Sequence, residues 1–143
     1  KNLSEAILIH GGGWKKIEKQ KIKRKTFNNL LKKKFNLKKV INYYGLVEQI
    51  GSIFFECKCG YFIASNFSEI IIRDENFNEC SDGKKGIVQL LSLLPTSYPG
   101  HSILTEDIGE IVKDHNCNCY GHGTRFLIHG RLKNAELRGC SNT

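Results

Sequence analysis

Two pairs of closely spaced cysteines are the residues of this sequence best suited to binding a metal ion. One pair is Cys57 and Cys59, and the other is Cys117 and Cys119. Four thiolates are the ligand set of a tetrahedral structural zinc site, and a glycine shortly after each pair allows the turn that such a site needs. The spacing therefore predicts one Zn²⁺ held by the four cysteines.

Alternatives to this site remain open from the sequence. His115 or His122 could replace one thiol as a ligand, or the four cysteines could be reduced thiols without a metal. Cys80 has no close partner in the sequence and is expected to be structural. Because no secretion signal opens the sequence, its six cysteines favour reduced thiols over a disulfide framework.

A run of three glycines lies between His10 and Trp14, after a predicted strand at Ala6–Ile9. Such a run lets a ligand approach the backbone, and in esterases it forms an oxyanion hole. An esterase also needs a Gly-x-Ser-x-Gly turn, but the nearest candidate, Gly100–Leu104, ends in leucine. The sequence therefore disfavours a hydrolase.

Three further motifs follow the glycine run: Tyr44–Glu48, Leu104–Gly109 and Gly130-Arg131. In this order the set resembles the adenylate-forming superfamily of acyl-CoA and aryl-CoA ligases. The longer segments Tyr44–Cys57, Leu94–Asp107 and Ala135–Cys140 are similar to its acyl-protein synthetase (LuxE-type) branch. The best-known members of that branch activate fatty acids for the aldehyde supply of bacterial luciferase. The resemblance implies a ligase that binds ATP/AMP and Mg²⁺, makes an acyl- or aryl-adenylate and passes the acyl group to a thiol.

The resemblance also assigns residues to adenine. It implies that Gly12 and Gly13 form the floor beside the adenine ring and that Tyr44, followed by Gly45, stacks on it. Val47 stands where the family has a threonine that contacts the α-phosphate, so the resemblance assigns no such contact here.

Three charged residues complete the nucleotide site that the resemblance implies. Glu48 would hold Mg²⁺ through a carboxylate oxygen, Asp107 would accept hydrogen bonds from the ribose hydroxyls, and Arg131 would approach the ribose and phosphate. The alternatives are an ordinary turn acid for Asp107 and a surface ion pair for Arg131.

Cys140 is the predicted acyl carrier, because acyl-protein synthetases accept the acyl group on a cysteine near the C-terminus. Gly139 supplies backbone freedom, and Arg138 favours the nucleophilic thiolate. In the alternative interpretation Cys140 is a spectator in a frayed tail. The implied partners are a carboxylic acid, an acyl-accepting thiol and an acyl reductase or acidic carrier.

Two parts of the superfamily have no counterpart in this sequence: the upstream phosphate loop rich in Ser, Thr and Gly, and the C-terminal lid with its catalytic lysine. The sequence also begins without Met and runs directly into a strand-like segment. We therefore expect a C-terminal piece of a longer enzyme that is inactive alone.

The predicted elements change character near residue 50. The strand Ala6–Ile9, an amphipathic helix with apolar residues from Phe27 to Phe35 and the strand Val40–Tyr44 predict an α/β segment, the end of a nucleotide-binding subdomain over residues 1–50. Short β-like runs then predict a mainly antiparallel, barrel-like β subdomain over residues 51–143. These runs are Ile53–Cys57, Ile70–Arg73, Ile87–Leu93, Ile108–Val112 and Phe126–His129. Together they predict a fragment of an adenylate-forming enzyme fold.

The net charge of +8 is concentrated in one segment of the 143-residue chain. Lys15–Lys39 contains 12 basic residues and one acid, whereas the remainder has 10 basic and 13 acidic residues. The basic segment lacks interleaved aromatics, so we expect a solvated helix face and no nucleic-acid binding. The longest apolar run, Gly86–Leu94, is too short to span a membrane. The predicted protein is a cytoplasmic ligase, and the alternative is a non-catalytic, zinc-stabilised interaction module.

Overall fold

A computed structural model describes residues 3–14, 20–96, 99–113, 117–119 and 122–135. The chain divides into two compact units between Tyr43 and Tyr44, and the subdomain boundary at residue 50 stays a prediction. The elements in chain order are β1 (Ile7–Gly11), α1 (Arg24–Phe35), β2 (Lys39–Tyr44), β3 (Phe54–Phe55), β4 (Phe62–Ile63), β5 (Ser68–Arg73), β6 (Gly86–Ser92), β7 (Ser102–Ile111) and β8 (Arg125–Arg131).

The first unit contains two parallel strands joined through a helix. β1 pairs with β2 in a register that runs from Ile7 opposite Lys39 to Gly11 opposite Tyr43. α1 lies between them in the chain, and three lysines in its last turn interact favourably with the negative end of the helix dipole. Asn36 adopts a left-handed conformation with φ of 50° and ends the helix. The predicted α/β segment is confirmed.

No helix in the described residues is long and apolar enough to cross a membrane.

The second unit is built on a five-stranded antiparallel sheet with the order β4-β8-β7-β6-β5. Buried and more exposed residues alternate along β5 and β6, because successive side chains in a strand point to opposite faces. The predicted antiparallel β subdomain is therefore confirmed. Two details differ from prediction: β7 begins at Ser102 instead of Ile108, and β4 is an additional strand of two residues.

The core of the second unit is centred on aromatic rings. Phe126 is fully buried, and its ring centroid lies 5.4 Å from that of Phe54, 5.6 Å from Phe62 and 6.0 Å from Tyr44. Buried aliphatic side chains of β5 and β6 complete this core, namely Ile70, Ile72, Val88 and Leu90. β8 is thereby attached to the other strands of the sheet by its side chains as well as by its hydrogen bonds.

Replacing Phe126 by alanine should lower the free energy of unfolding by about 3–5 kcal/mol, because a fully buried ring would leave a cavity. Chemical denaturation followed by circular dichroism measures the loss. Phe67→Ala is the matched control, since the Phe67 side chain is largely exposed and its loss should cost about 0.5 kcal/mol or less. Equal losses in the two variants would contradict the assignment of Phe126 to the core.

Candidate functional site

Asp107 lies at the centre of a polar cluster on β7 and β8. Its backbone N–H donates to the Thr105 hydroxyl oxygen at 3.0 Å, and the Thr105 hydroxyl donates to the carbonyl of Val88 on β6 at 2.8 Å. The Asp107 side chain is only 16% exposed. The carboxylate is therefore held at a defined position on the sheet, with part of its surface open to a ligand.

Tyr44 and Arg131 are the other two members of the cluster, and they contact the Asp107 carboxylate from two sides. The Tyr44 hydroxyl donates to Asp107 Oδ2 at 2.7 Å, and Arg131 Nε lies 3.7 Å from Oδ1. Arg131 stands directly opposite Asp107 in the β7–β8 register, and its guanidinium also donates to the carboxylate of Glu106. Three residues that the motifs predicted to act together are thus adjacent.

Tyr44 is both a core residue and a member of this cluster. Its ring packs against Phe54, Phe62 and Phe126. Burial, and secondly the negative charge of Asp107, raises the pKa of the Tyr44 hydroxyl far above its usual range. The hydroxyl therefore stays protonated and can act as a permanent hydrogen-bond donor to the carboxylate. Stacking of this ring on adenine stays a prediction.

The turn after Tyr44 presents Glu48 to solvent and buries its neighbour. Glu48 is exposed, whereas Gln49 is fully buried and its Nε2 donates to the carbonyls of Gly100, at 2.9 Å, and Leu90, at 3.4 Å. Gly45 packs tightly, since a Cβ there would lie 3.0 Å from the Ser52 carbonyl oxygen. The predicted Mg²⁺ ligand therefore stands on an anchored turn.

The glycine run belongs to the first unit. A Cβ at Gly12 or Gly13 would meet no atom within 4 Å among the described residues, and Gly12 has φ of 85°. Both glycines are exposed among the described residues. The Phe27 ring packs edge-on against His10, at 5.3 Å between centroids, and against Trp14, at 5.6 Å. The predicted contact of Gly12 and Gly13 with adenine stays a prediction.

The two cysteine pairs come together in the second unit. All four Sγ atoms, of Cys57, Cys59, Cys117 and Cys119, lie within 4.8 Å of one another, and they form the potential metal-ligand group found among the described residues. A hydrogen bond from the backbone N–H of Cys59 is the main cause that lowers the pKa of the Cys119 thiol to about 7. The grouping predicted from the spacing is confirmed, whereas the bound zinc stays a prediction.

The remaining candidate ligands and thiols lie apart from this group or beyond the described structure. His122 is not part of the four-thiol group, and Cys80 is buried in the core. His115 and Cys140 lie outside the described residues. Their roles stay predictions.

The structure adds three residues that sequence reasoning missed: Gln49, Thr105 and Glu106. Thr105 and Glu106 precede Asp107 within one motif. Had this motif been predicted as a β-strand, Thr105 would have been placed on the same face as Asp107. Gln49 gives no sequence signal, because its two backbone partners lie 41 and 51 residues away in the chain.

Comparison with known proteins identifies similar sequences. A family model described as "Acyl-protein synthetase, LuxE" matches residues 2–143. A long-chain-fatty-acid–luciferin-component ligase of Aliivibrio fischeri is 27% identical over 140 residues, which are 94% of this chain and 36% of that protein. The chain thus spans about one third of the length of this relative.

Solved structures share the fold of this chain. Apo MatB of Rhodopseudomonas palustris superposes with a TM-score of 0.57 at 16% identity, over 89% of this chain and 26% of that one. McyG A-PCP complexed with phenylalanyl-adenylate also gives 0.57, at 18% identity, over 92% and 26%. The luciferase-like enzyme of the nonluminescent mealworm Zophobas morio gives 0.51 at 18% identity, over 91% and 32%. The predicted fragment of an adenylate-forming fold is confirmed.

Proposed function

Since the chain belongs to the acyl-protein synthetase family LuxE, we propose that it is the C-terminal part of an ATP-dependent, acyl-activating ligase. The ligase joins a carboxylic acid to AMP and then transfers the acyl group to a thiol. The name of the Aliivibrio fischeri relative favours a long-chain fatty acid, and an aryl acid is the alternative substrate. The reduced cysteines favour action in the cytoplasm.

The contact between Tyr44, Asp107 and Arg131 carries this proposal. An ionised carboxylate only accepts hydrogen bonds and offers about four lone-pair positions. The Tyr44 hydroxyl occupies one position on Oδ2, which leaves acceptors for the two neighbouring hydroxyls of a ribose. Arg131 lies beside Oδ1, where its positive charge would attract a nearby phosphate.

The other predicted residues supply the remaining contacts of the nucleotide. The family resemblance implies that Gly12 and Gly13 contact adenine and that Tyr44, followed by Gly45, stacks on it. Glu48 would hold Mg²⁺, whose preference for oxygen ligands matches an exposed carboxylate, and the ion would neutralise charge on the phosphates. The donor and acceptor set of the chain therefore fits ATP with Mg²⁺.

The reaction consists of two substitutions. In the first, a carboxylate oxygen of the acid forms a bond to the α-phosphorus of ATP, and the bond to pyrophosphate breaks with its electrons on the leaving group. In the second, the Cys140 thiolate attacks the acyl carbon, a thioester forms and AMP leaves with the electrons of the broken C–O bond. The acyl group is then delivered from Cys140 to an acyl reductase or carrier partner.

A second function rests on the exposed basic face of α1. Lys32, Lys33 and Lys34 are all exposed and lie in one turn, so they offer positive charge to an acidic partner. Under this second hypothesis, the protein is a non-catalytic interaction module that zinc stabilises.

ATP–pyrophosphate exchange by the full-length protein distinguishes the two functions. We expect exchange that depends on added carboxylic acid and Mg²⁺, with long-chain fatty acids compared against aryl acids. No exchange with any acid tested, together with salt-sensitive binding to an acidic protein, would support the interaction module.

A further inference from the structure

The four-thiol cluster is not used by the proposed reaction. We infer that Cys57, Cys59, Cys117 and Cys119 bind one structural Zn²⁺, and that this ion fixes the connection between β7 and β8. Binding displaces the protons of those thiols that are still protonated, so that all four sulfurs coordinate as thiolates. The site needs no oxidant or reductant.

Two of the distances between the sulfur atoms match the edge of a zinc tetrahedron. A Zn–S bond of about 2.3 Å gives a sulfur–sulfur edge of about 3.8 Å in a regular tetrahedron. Cys57 Sγ lies 3.8 Å from Cys117 Sγ, and Cys59 Sγ lies 3.6 Å from Cys119 Sγ. A disulfide would need about 2.05 Å, so these distances correspond to a metal cage and not to two bonded pairs.

The backbone around the first pair forms a tight turn that aims both thiols to one side. The Gly60 N–H donates to the Cys57 carbonyl at 2.9 Å, and the Cys57 N–H donates to the Tyr61 carbonyl at 2.8 Å. Gly60 has φ of 97°, which an L-residue rarely adopts. These two hydrogen bonds and the conformation of Gly60 therefore shape the turn that carries the first pair.

The second pair is held by the strand that follows it. Arg125, the first residue of β8, donates from Nη2 to the Cys117 carbonyl at 3.3 Å. Such contacts to the ligand residues orient a metal site and keep its geometry. Both halves of the cage are thus supported by the sheet of the second unit.

The position of the site in the chain indicates that the ion would stabilise the pairing of β7 with β8. Residues 112–124 separate β7 from β8, far more than the roughly 2–5 residues of an ordinary hairpin loop. Such a long connection does not set the strand register by itself, and a slip of one residue would turn every side chain to the other face. An ion that ties Cys117 and Cys119 to the turn at Cys57 would divide this connection into shorter segments.

Asp107 and Arg131 lie opposite each other in this strand pair, at the end away from the connection. The ion would therefore preserve the register that brings these two residues together. Only this last step rests on the proposed function. Zinc content and folding do not depend on it, so the two proposals can fail separately.

Metal analysis of the full-length protein, purified under reducing conditions without chelator, tests the site. We expect Cys57→Ser and Cys119→Ser to lose one equivalent of zinc per chain relative to the wild type. Cys80→Ala is the matched control and should keep this zinc, because Cys80 is a buried cysteine outside the cluster. Unchanged zinc in the two serine variants would overturn the site.

Measurements on the wild type decide the question if the serine variants fail to fold. Cobalt substitution should give a thiolate-to-cobalt charge-transfer band and the absorption of a tetrahedral ion. Chelation should lower the melting temperature by on the order of 10 °C, since metal binding here is folding free energy. A wild type without zinc, without the cobalt bands, or with the two pairs as disulfides would overturn the inference.

Discussion

Replacing Asp107 by asparagine in the full-length protein should lower ATP–pyrophosphate exchange at subsaturating ATP by about 10²-fold or more. A hydrogen bond to a charged group contributes about 1.5–3 kcal/mol, and in the proposed site the variant would remove the charge from both bonds to the ribose. The amide has nearly the shape of the carboxylate, so the sheet should fold. Initial rates over a range of ATP concentrations measure the effect.

Two further variants separate ribose binding from general damage. Glu110→Gln removes a carboxylate from the same strand, where it pairs with His129 at 3.3 Å, and should leave exchange near the wild-type rate. Tyr44→Phe keeps the ring but removes the donor that holds Asp107, and should cost about tenfold. Wild-type exchange in Asp107→Asn would exclude Asp107 from the nucleotide site.

The Cys140→Ser variant should lose all hydroxylamine-sensitive labelling by a radioactive acyl substrate while keeping ATP–pyrophosphate exchange. Exchange reports only the formation of the adenylate, whereas labelling requires a thioester, which a serine hydroxyl cannot form. Labelling is measured on denatured protein after incubation with ATP and the labelled acid.

Cys80→Ala is again the matched control, because Cys80 is buried and should not react with the adenylate. It should label like the wild type. Labelling that survives Cys140→Ser would show that Cys140 is not the carrier and would direct the acyl group to an external thiol. Loss of both labelling and exchange would indicate damage to the first half-reaction instead.

The strands with a regular apolar pattern could be predicted well from the sequence. β5 and β6 were predicted as Ile70–Arg73 and Ile87–Leu93 and lie at Ser68–Arg73 and Gly86–Ser92. Their alternation of buried and exposed residues reflects a single buried face, which is the strongest local signal of a strand. β4 could not be predicted, because two residues are too few to show a period.

The first half of β7 was missed because its inward face carries polar groups. Thr105 is buried there, and its hydroxyl donates a hydrogen bond to the Val88 carbonyl. The alternation of apolar residues therefore fails in the part of the strand that carries Asp107. The ordered motifs pointed to Tyr44, Asp107 and Arg131, and the structure shows that these three side chains lie together. Their hydrogen-bond geometry could not be predicted, because Tyr44 and Asp107 are brought together only by the sheet.

The buried amide of Gln49 has a thermodynamic consequence for the Mg²⁺ site proposed at its neighbour Glu48. Fixing the backbone of one residue costs about 1–2 kcal/mol of conformational entropy, and a loose turn would lose this freedom when it binds an ion. Gln49 ties the turn to the Gly100 and Leu90 carbonyls during folding, before any nucleotide arrives. In the proposed site, binding through Glu48 would have to restrict only one side chain, so less of the attraction between carboxylate and Mg²⁺ would be lost to ordering the protein.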